Sequence, residues 1–326
     1  MREPSVGKRH KVAVVGLGVM GLRHLRVLLG LATRFEVVGT YDVRPEAPAP
    51  AGTRRCASES EALAGADVVV VSTPIASHAE GVRRALAAGK HTFVEKPICA
   101  TAAEARAVLA AARAGARLFV GHSERFNPVV RALAHRLAGD DVRAIDFQRF
   151  GPSKPCGYGV LVNAGVHDFD LAAYLAGGGI VIRRASGSSA PDSAGEDSAD
   201  VVFSTGGGAM GRIAVDRTAP SRRRSVEITT RRWLYEGDLL AHRLVRTARG
   251  QGAASQATPL PLPADEPLVA QAVALADALD GRPAREIATG ADGLRAVELA
   301  EQAAAMVAGS PAAPPHAEKL SLDLAR

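Results

Sequence analysis

Lys96 is one of only six lysines in a chain of 326 residues that carries 40 basic side chains. It stands in Glu95-Lys96-Pro97, at the end of the strand-like run His91 to Val94. In open α/β sheets, ligands bind at the carboxyl ends of the strands. An ammonium there can donate a hydrogen bond to a hydroxyl or carbonyl oxygen, and partial desolvation would lower its pKa. The residues alone leave open a surface lysine paired with Glu95. The second group with useful chemistry is His167, whose ring titrates near neutrality. It precedes the apolar helical spacing Phe169, Leu171, Ala172 and Leu175, and a helix N-terminus disfavours imidazolium and keeps a neutral base available. Asn163 lies four residues earlier, so a helix running through this segment would put both side chains on one face. Asp168 and Asp170 read as helix-capping carboxylates.

A third constellation is Gly16-Leu17-Gly18-Val19-Met20-Gly21, between the β-branched run Val12 to Val15 and a segment with helical spacing in Leu22, Leu25, Leu28 and Leu29. Glycines in a strand–turn–helix allow a tight turn, close approach of a pyrophosphate and packing of helix on strand. The helix N-terminus then offers free N–H groups to the phosphates. Asp42 closes the second strand, Phe35 to Tyr41, where a ribose-binding carboxylate belongs. A carboxylate there accepts from both ribose hydroxyls and repels a 2′-phosphate, which favours NAD. Arg44 leaves NADP open, because it could meet a 2′-phosphate if Asp42 turned away.

These groups need a scaffold, and the chain's rhythm supplies one. To residue 120, strand-like and helix-like segments alternate, with Val68 to Val71 a fully buried strand by length and branching. Ser58 with Glu61, and Thr101 with Glu104, have capping-box spacing. Alternation implies parallel strands joined by right-handed crossovers, a doubly wound Rossmann domain over residues 8–122. Asn127-Pro128 then reads as a helix start. Beyond it the period becomes two, as in Ile145 and Phe147 or Val226 and Ile228, and Gly206-Gly207-Gly208 reads as a hairpin turn. Residues 123–326 therefore read as an α+β domain with an open, mostly antiparallel sheet and helices on one face. The Ser/Asp/Gly-rich stretch Ser186 to Ala199 reads as a mobile surface loop, and helices are expected near 268–279 and 291–307.

Several ordered motifs together resemble the Gfo/Idh/MocA oxidoreductase family: Ser72-Thr73-Pro74 with His78, Gly89-Lys90-His91, Glu95-Lys96-Pro97, the segment Gly121 to Pro128, Gly165-Val166-His167-Asp168-Phe169-Asp170-Leu171, and Glu266-Pro267-Leu268. The resemblance implies that Lys96 and His167 are catalytic and that the peptide before Pro97 is cis. It implies cofactor contacts from Gly16, Gly18, Val19, Met20, Gly21, Asp42, Arg44, Thr73, Pro74, His78, Glu95, Lys96 and Pro97. The activity implied is hydride transfer between NAD, or NADP, and a secondary alcohol or ketone. His122, Glu124, Arg125, Phe126 and Asn127 are similar to the segment in members acting on UDP-N-acetylhexosamines, so a sugar, amino sugar or nucleotide sugar is the expected substrate. Arg125, Asn127, Tyr158, Asn163, His167 and Lys96 are its expected contacts. Arg125 could equally pair with Glu124. A cyclitol is the alternative substrate. In place of Asn163 the family usually carries an aspartate, and the neutral side chain can orient but not stabilise an imidazolium. That departure keeps a non-catalytic NAD(P)-binding sensor or partner subunit as the other alternative.

Composition narrows the rest. Hydrophobic residues make up 47% and charged residues 23%, a globular composition that excludes a largely disordered chain. Cys56, Cys99 and Cys156 contain no C-x-x-C pair, against a structural zinc site and for a reducing compartment. No metal is expected. The net charge is +6, but Arg222-Arg223-Arg224 and Arg231-Arg232 lack the interleaved aromatics on which bases stack, so a solvated sheet edge is the better reading than nucleic acid. Lys8, Arg9 and Lys11 before Val12 to Leu22 imitate a secretory leader. That stretch is punctuated by glycines, ended by Arg23 and His24, and too short to span a bilayer, so a cytoplasmic protein without a membrane partner is expected. The resemblance implies a homodimer or homotetramer through the second sheet, with Trp233 and Tyr235 among few aromatic anchors.

Overall fold

Four successive valines have no polar face to offer water, and the strand they form, β3 (Val68–Val71), lies wholly buried within a parallel sheet. The structure, a computed structural model, describes residues 9–112, 115–153, 157–177, 179–250 and 256–309. Strands β1 (His10–Val15), β2 (Phe35–Tyr41), β4 (His91–Glu95) and β5 (Leu118–Gly121) complete the parallel set. They are joined by helices α1 (Val19–Gly30), α2 (Glu59–Ala64), α3 (His78–Ala87) and α4 (Ala102–Ala110). The start signals act as expected. The Ser58 hydroxyl accepts the Glu61 N–H, and Thr101 and Glu104 form a reciprocal capping box.

The second sheet is built on β6 (Val142–Phe150), after α5 (Pro128–Leu137), whose N-terminus Asn127 caps. It holds β7 (Ile180–Ser188), β8 (Ser198–Thr205), β9 (Met210–Asp216), β10 (Arg223–Thr230), β11 (Trp233–Asp238), β12 (Arg243–Ala248) and β13 (Thr258–Pro259) in the order β13-β12-β11-β10-β6-β9-β8-β7. Every pair is antiparallel except β6 with β9. Period-two burial sends Ile145, Phe147, Val226 and Ile228 inward against α5 and α6 (Val166–Ala176). The other face carries exposed Arg212, Glu227 and Glu236.

Two features depart from the linear reading. Residues 186–199 are not one loop: β7 runs to Ser188 and β8 starts at Ser198. The turn between them is tied down by Asp197, which accepts from the Ala190 N–H, the Ser193 hydroxyl and the buried Arg217 guanidinium. Secondly, the chain leaves the first sheet at Gly121 and later returns to it. Helix α7 (Pro267–Leu279) buries Leu275 and Ala276 with Leu25 and Leu28 of α1. Strand β14 (Ala288–Thr289) then adds antiparallel to β5, so the first sheet runs β14-β5-β4-β3-β1-β2. Helix α8 (Gly290–Gly309) packs Val297 into the first core and Leu299, Ala300 and Ala303 into the second. This return locks the two sheets together, beside the place where β4 and β5 end.

Candidate active site

The glycine turn shows why each glycine is there. Gly16 has φ +92°, and a Cβ on it would lie 2.6 Å from the Ser72 backbone. A Cβ on Gly21 would lie 1.9 Å from the Gly16 carbonyl, so helix and strand meet there with no room for a side chain. Gly18 differs, because nothing lies within 4 Å of its Cβ position. It is the extended N-cap of α1, which has no side-chain cap and no acidic residue in its first turn. The positive helix end therefore faces open space, as an anion site requires. That space is a groove of about 730 Å³ lined by Gly16, Gly18, Val19, Met20, Asp42, Arg44, Thr73, Pro74, His78, Glu95 and Lys96. The hydroxyls of Ser72 and Thr73 are buried there without a protein partner. A dinucleotide supplies what each of these groups lacks, so the residues fit NAD.

Asp42 takes the Leu17 N–H at 2.7 Å and, from Arg44, the backbone N–H at 2.9 Å and two guanidinium N–H groups at 3.0 Å. The Arg44 guanidinium holds its carboxyl well below the usual carboxylate range. All four acceptor directions of Asp42 are occupied, and the Arg44 side chain, 53% exposed, is the partner that can swing away for a ribose. The Lys96–Pro97 peptide is cis.

Lys96, in the groove lining, donates to the Asn163 carbonyl at 2.8 Å. Asn163 belongs to a π-helical turn, Leu161–Gly165, that runs straight into α6. Such turns recur at functional sites because they re-aim side chains. The helix therefore does pass through this segment and carries Asn163 and His167 on one side. Two backbone tethers hold the turn: the buried Glu196 carboxylate accepts the Leu161 N–H at 2.8 Å, and the Glu196 carbonyl accepts the Val160 N–H. Tyr158 contributes its carbonyl to Arg217 just before the turn.

His167 is half-buried, with a buried Nδ1 that has no protein partner. Burial first, then the charges of Lys96, Arg149 and Arg224, drive its pKa well below the ordinary imidazole value. These surroundings favour the neutral ring. His122, 2% exposed and without a hydrogen bond, has its Nδ1 3.8 Å from the Asp170 carboxylate and stands edge-on to His167 with ring centroids 6.4 Å apart; burial likewise depresses its pKa.

Asp168 and Asp170 do not cap α6. Asp168 grips Arg149 through two hydrogen bonds of 2.8 Å, and Arg149 and Arg224 both reach Glu124. Burial alone would lower the Arg149 pKa, but Asp168 and Glu124 outweigh it and push it up, so the guanidinium stays charged. Asp170 grips Arg125 at 2.6 and 2.8 Å, with Arg125 stacked over Tyr174 at 4.8 Å. Arg125 therefore pairs with Asp170 and not Glu124, and it is only 4% exposed. Asn127 is 6% exposed and is the cap of α5, accepting the Val129 N–H and donating to the Leu239 carbonyl. Both are committed inside the protein, away from the groove. His78 is also engaged on both ring nitrogens.

Reading the residues in order misses the partners that make this site. His24, on α1, donates to Glu95 at 2.6 Å across 71 residues of sequence. Burial opposes the Glu95 charge, yet that bond and nearby Lys96 hold its pKa below the ordinary value. Arg149, Glu124 and Glu196 are likewise long-range partners with no local signature. Among the described residues no group of His, Cys, Asp and Glu is arranged to hold a metal ion, and no helix is long and apolar enough to cross a membrane.

The chain was compared with known proteins. The profile described as "Oxidoreductase family, NAD-binding Rossmann fold" matches residues 10–122, and that of the GFO/IDH/MocA C-terminal domain matches residues 130–233. An inositol 2-dehydrogenase of Rhizobium meliloti is 31% identical over 235 residues, covering 64% of this chain and 69% of the relative. A UDP-N-acetylglucosamine 3-dehydrogenase of Acidithiobacillus ferrooxidans is 30% identical over 224 residues, covering 65% and 69%. A solved structure of an enzyme of that name from the same species superposes with TM-score 0.82 at 25% identity, over 93% of this chain and 99% of that one. GenD2 from gentamicin A biosynthesis, solved in complex with NAD, gives 0.78 at 27% identity, over 94% and 97%. With the glycine turn, the Glu95-Lys96-Pro97 segment and both halves matched, the chain belongs to the GFO/IDH/MocA family of NAD-binding oxidoreductases.

Proposed function

We propose that this oxidoreductase acts on a secondary alcohol of a sugar, amino sugar or nucleotide sugar, or on the corresponding ketone. One observation carries the reading. The Lys96 ammonium, at the lip of the cofactor groove, lies 2.8 Å from the carbonyl of Asn163, four residues before a His167 kept neutral by its surroundings. A lysine and a neutral imidazole converging from two elements are what alcohol oxidation needs. Lys96 donates a hydrogen bond to the reacting oxygen and favours its developing negative charge. His167 takes the hydroxyl proton, and in the reverse direction returns it. Asn163, through its side-chain amide, orients the substrate or the imidazole. NAD, when bound, accepts the hydride from the carbinol carbon.

The relatives support a polyhydroxylated carbinol substrate: a UDP-N-acetylglucosamine 3-dehydrogenase structure is covered to 99% at 25% identity and the structure of "a putative myo-inositol dehydrogenase" to 98% at 26%. The exposed face of the second sheet is the surface through which we infer a homo-oligomer, to be checked by light scattering. The decisive test is NADH formation with a panel of UDP-N-acetylhexosamines, free sugars and inositols. Turnover of a sugar or nucleotide sugar supports the reading. Turnover of inositols alone moves the assignment to cyclitols, and NAD binding without turnover of any carbinol overturns it.

A further inference from the structure

His78 opens α3 with 1% of its surface exposed. Its Nδ1 lies 2.8 Å from the Pro97 carbonyl oxygen and its Nε2 lies 2.8 Å from the Thr73 carbonyl oxygen. A carbonyl oxygen can only accept, so each contact needs an N–H on the ring. Neutral imidazole carries one N–H, and imidazolium carries two. Both contacts therefore coexist only in the cation. Loss of the proton leaves a bare ring nitrogen against a buried carbonyl lone pair, and that contact has to open.

The two carbonyls belong to different parts of the site. Thr73 lies in the Ser72–Pro74 wall of the dinucleotide groove, while Pro97 follows Lys96, which reaches across to Asn163. We infer that His78 is a positioning residue whose imidazolium staples the Lys96 segment to the groove wall, and that deprotonation releases one end of the staple. The charged and titratable groups facing the ring decide where this occurs. Burial and the Lys96 ammonium work against the cation; the two carbonyls and the Glu95 carboxylate, itself held by His24, favour it. Burial prevails, so the staple closes on the acid side of the ordinary imidazole pKa. The inference rests on the proposed role of Lys96 only for its consequence in turnover.

Its test uses no substrate. The full chain, labelled with ¹⁵N-histidine, is followed by NMR between about pH 5 and pH 8, and NADH affinity is measured over the same range for the wild type and His78→Gln. The expected result is two protonated nitrogens on His78 below its midpoint and one above. NADH affinity should weaken about tenfold across that midpoint, the effect of one lost charge-assisted hydrogen bond. His78→Gln, whose amide group does not titrate, should bind with a flat profile. A His78 that keeps one protonated nitrogen throughout, or a wild-type affinity profile that the glutamine variant reproduces, overturns the staple. The NMR arm needs only the wild type, so it stands even if the variant folds poorly. A failure of either kind leaves the Lys96 chemistry, tested with substrates, untouched.

Discussion

Replacing Asn163 by aspartate restores the carboxylate that the family usually carries and should retune His167 in a calculable direction. At present every charge named around that imidazole is positive: Lys96, Arg149 and Arg224, with Asp168 neutralised by its arginine. Helical neighbours four apart lie about 5–6 Å apart at their Cβ atoms. At an effective dielectric constant of about 20, a carboxylate at that distance favours the imidazolium by about 3 kcal/mol, or about two pH units. Desolvation of the new carboxylate reduces this to about one unit or slightly more. The sign follows directly. A base with a raised pKa stays protonated, and idle in oxidation, to a higher pH. The acid limb of kcat/KM for alcohol oxidation, read as NADH formation against pH, should therefore move upward by about one unit. His167→Ala should lose at least about a hundredfold in kcat. An acid limb that stays in place in Asn163→Asp, with activity otherwise intact, would refute the idea that His167 is the base and that its cationic surroundings set its pKa.

Other outcomes follow from the same structure. Lys96→Ala should cut kcat by at least about a hundredfold while NADH affinity, measured by fluorescence, changes little; an unaffected rate would end its assignment. Gly18→Ala, whose Cβ meets no protein atom, should leave urea stability within about 0.5 kcal/mol but weaken NADH binding at least about tenfold. Gly21→Ala, forced against the Gly16 carbonyl, should instead lose stability by about 1–3 kcal/mol. Arg149→Met leaves the buried Asp168 unpaired and Glu124 with Arg224 as its remaining arginine, and should cost about 3–5 kcal/mol in urea unfolding. Cys99, fully buried with its thiol pushed up to about 12, and Cys56, 4% exposed, should resist iodoacetamide in the native protein and react once it is unfolded, read peptide by peptide in a mass spectrometer.

The arginine–carboxylate lattice explains why substitutions beside the site divide between chemistry and architecture. Arg125–Asp170 and Arg149–Asp168, two residues apart on α6 and so on different sides of it, pin the helix to the segment after β5 and to β6. Their charges are matched inside the protein, so they set the position and electrostatic environment of His167 rather than meeting a ligand themselves. Ion pairs of this kind add little net stability over a packed apolar core, yet breaking one alone is costly.

What the sequence determined by itself was local or periodic. The glycine turn is legible because Gly16 and Gly21 answer to contacts within one strand–turn–helix unit. The Thr101–Glu104 box and the Asn127-Pro128 start are complete within four residues, and the switch from helical to period-two spacing marks the second sheet without any distant contact. Lys96, His167 and Asn163 were legible as a set only through ordered family motifs, since nothing local says that residues 96 and 163 will meet. The tertiary structure alone decided that α7, β14 and α8 return to the first sheet, that Asp168 and Asp170 face arginines instead of capping their helix, and that Arg125 and Asn127 are consumed inside the protein. The physical reason is the same in each case. A carboxylate, an arginine or a two-residue strand satisfies its hydrogen bonds with whichever partner the packed core brings within 3 Å, and sequence separation carries no information about that choice.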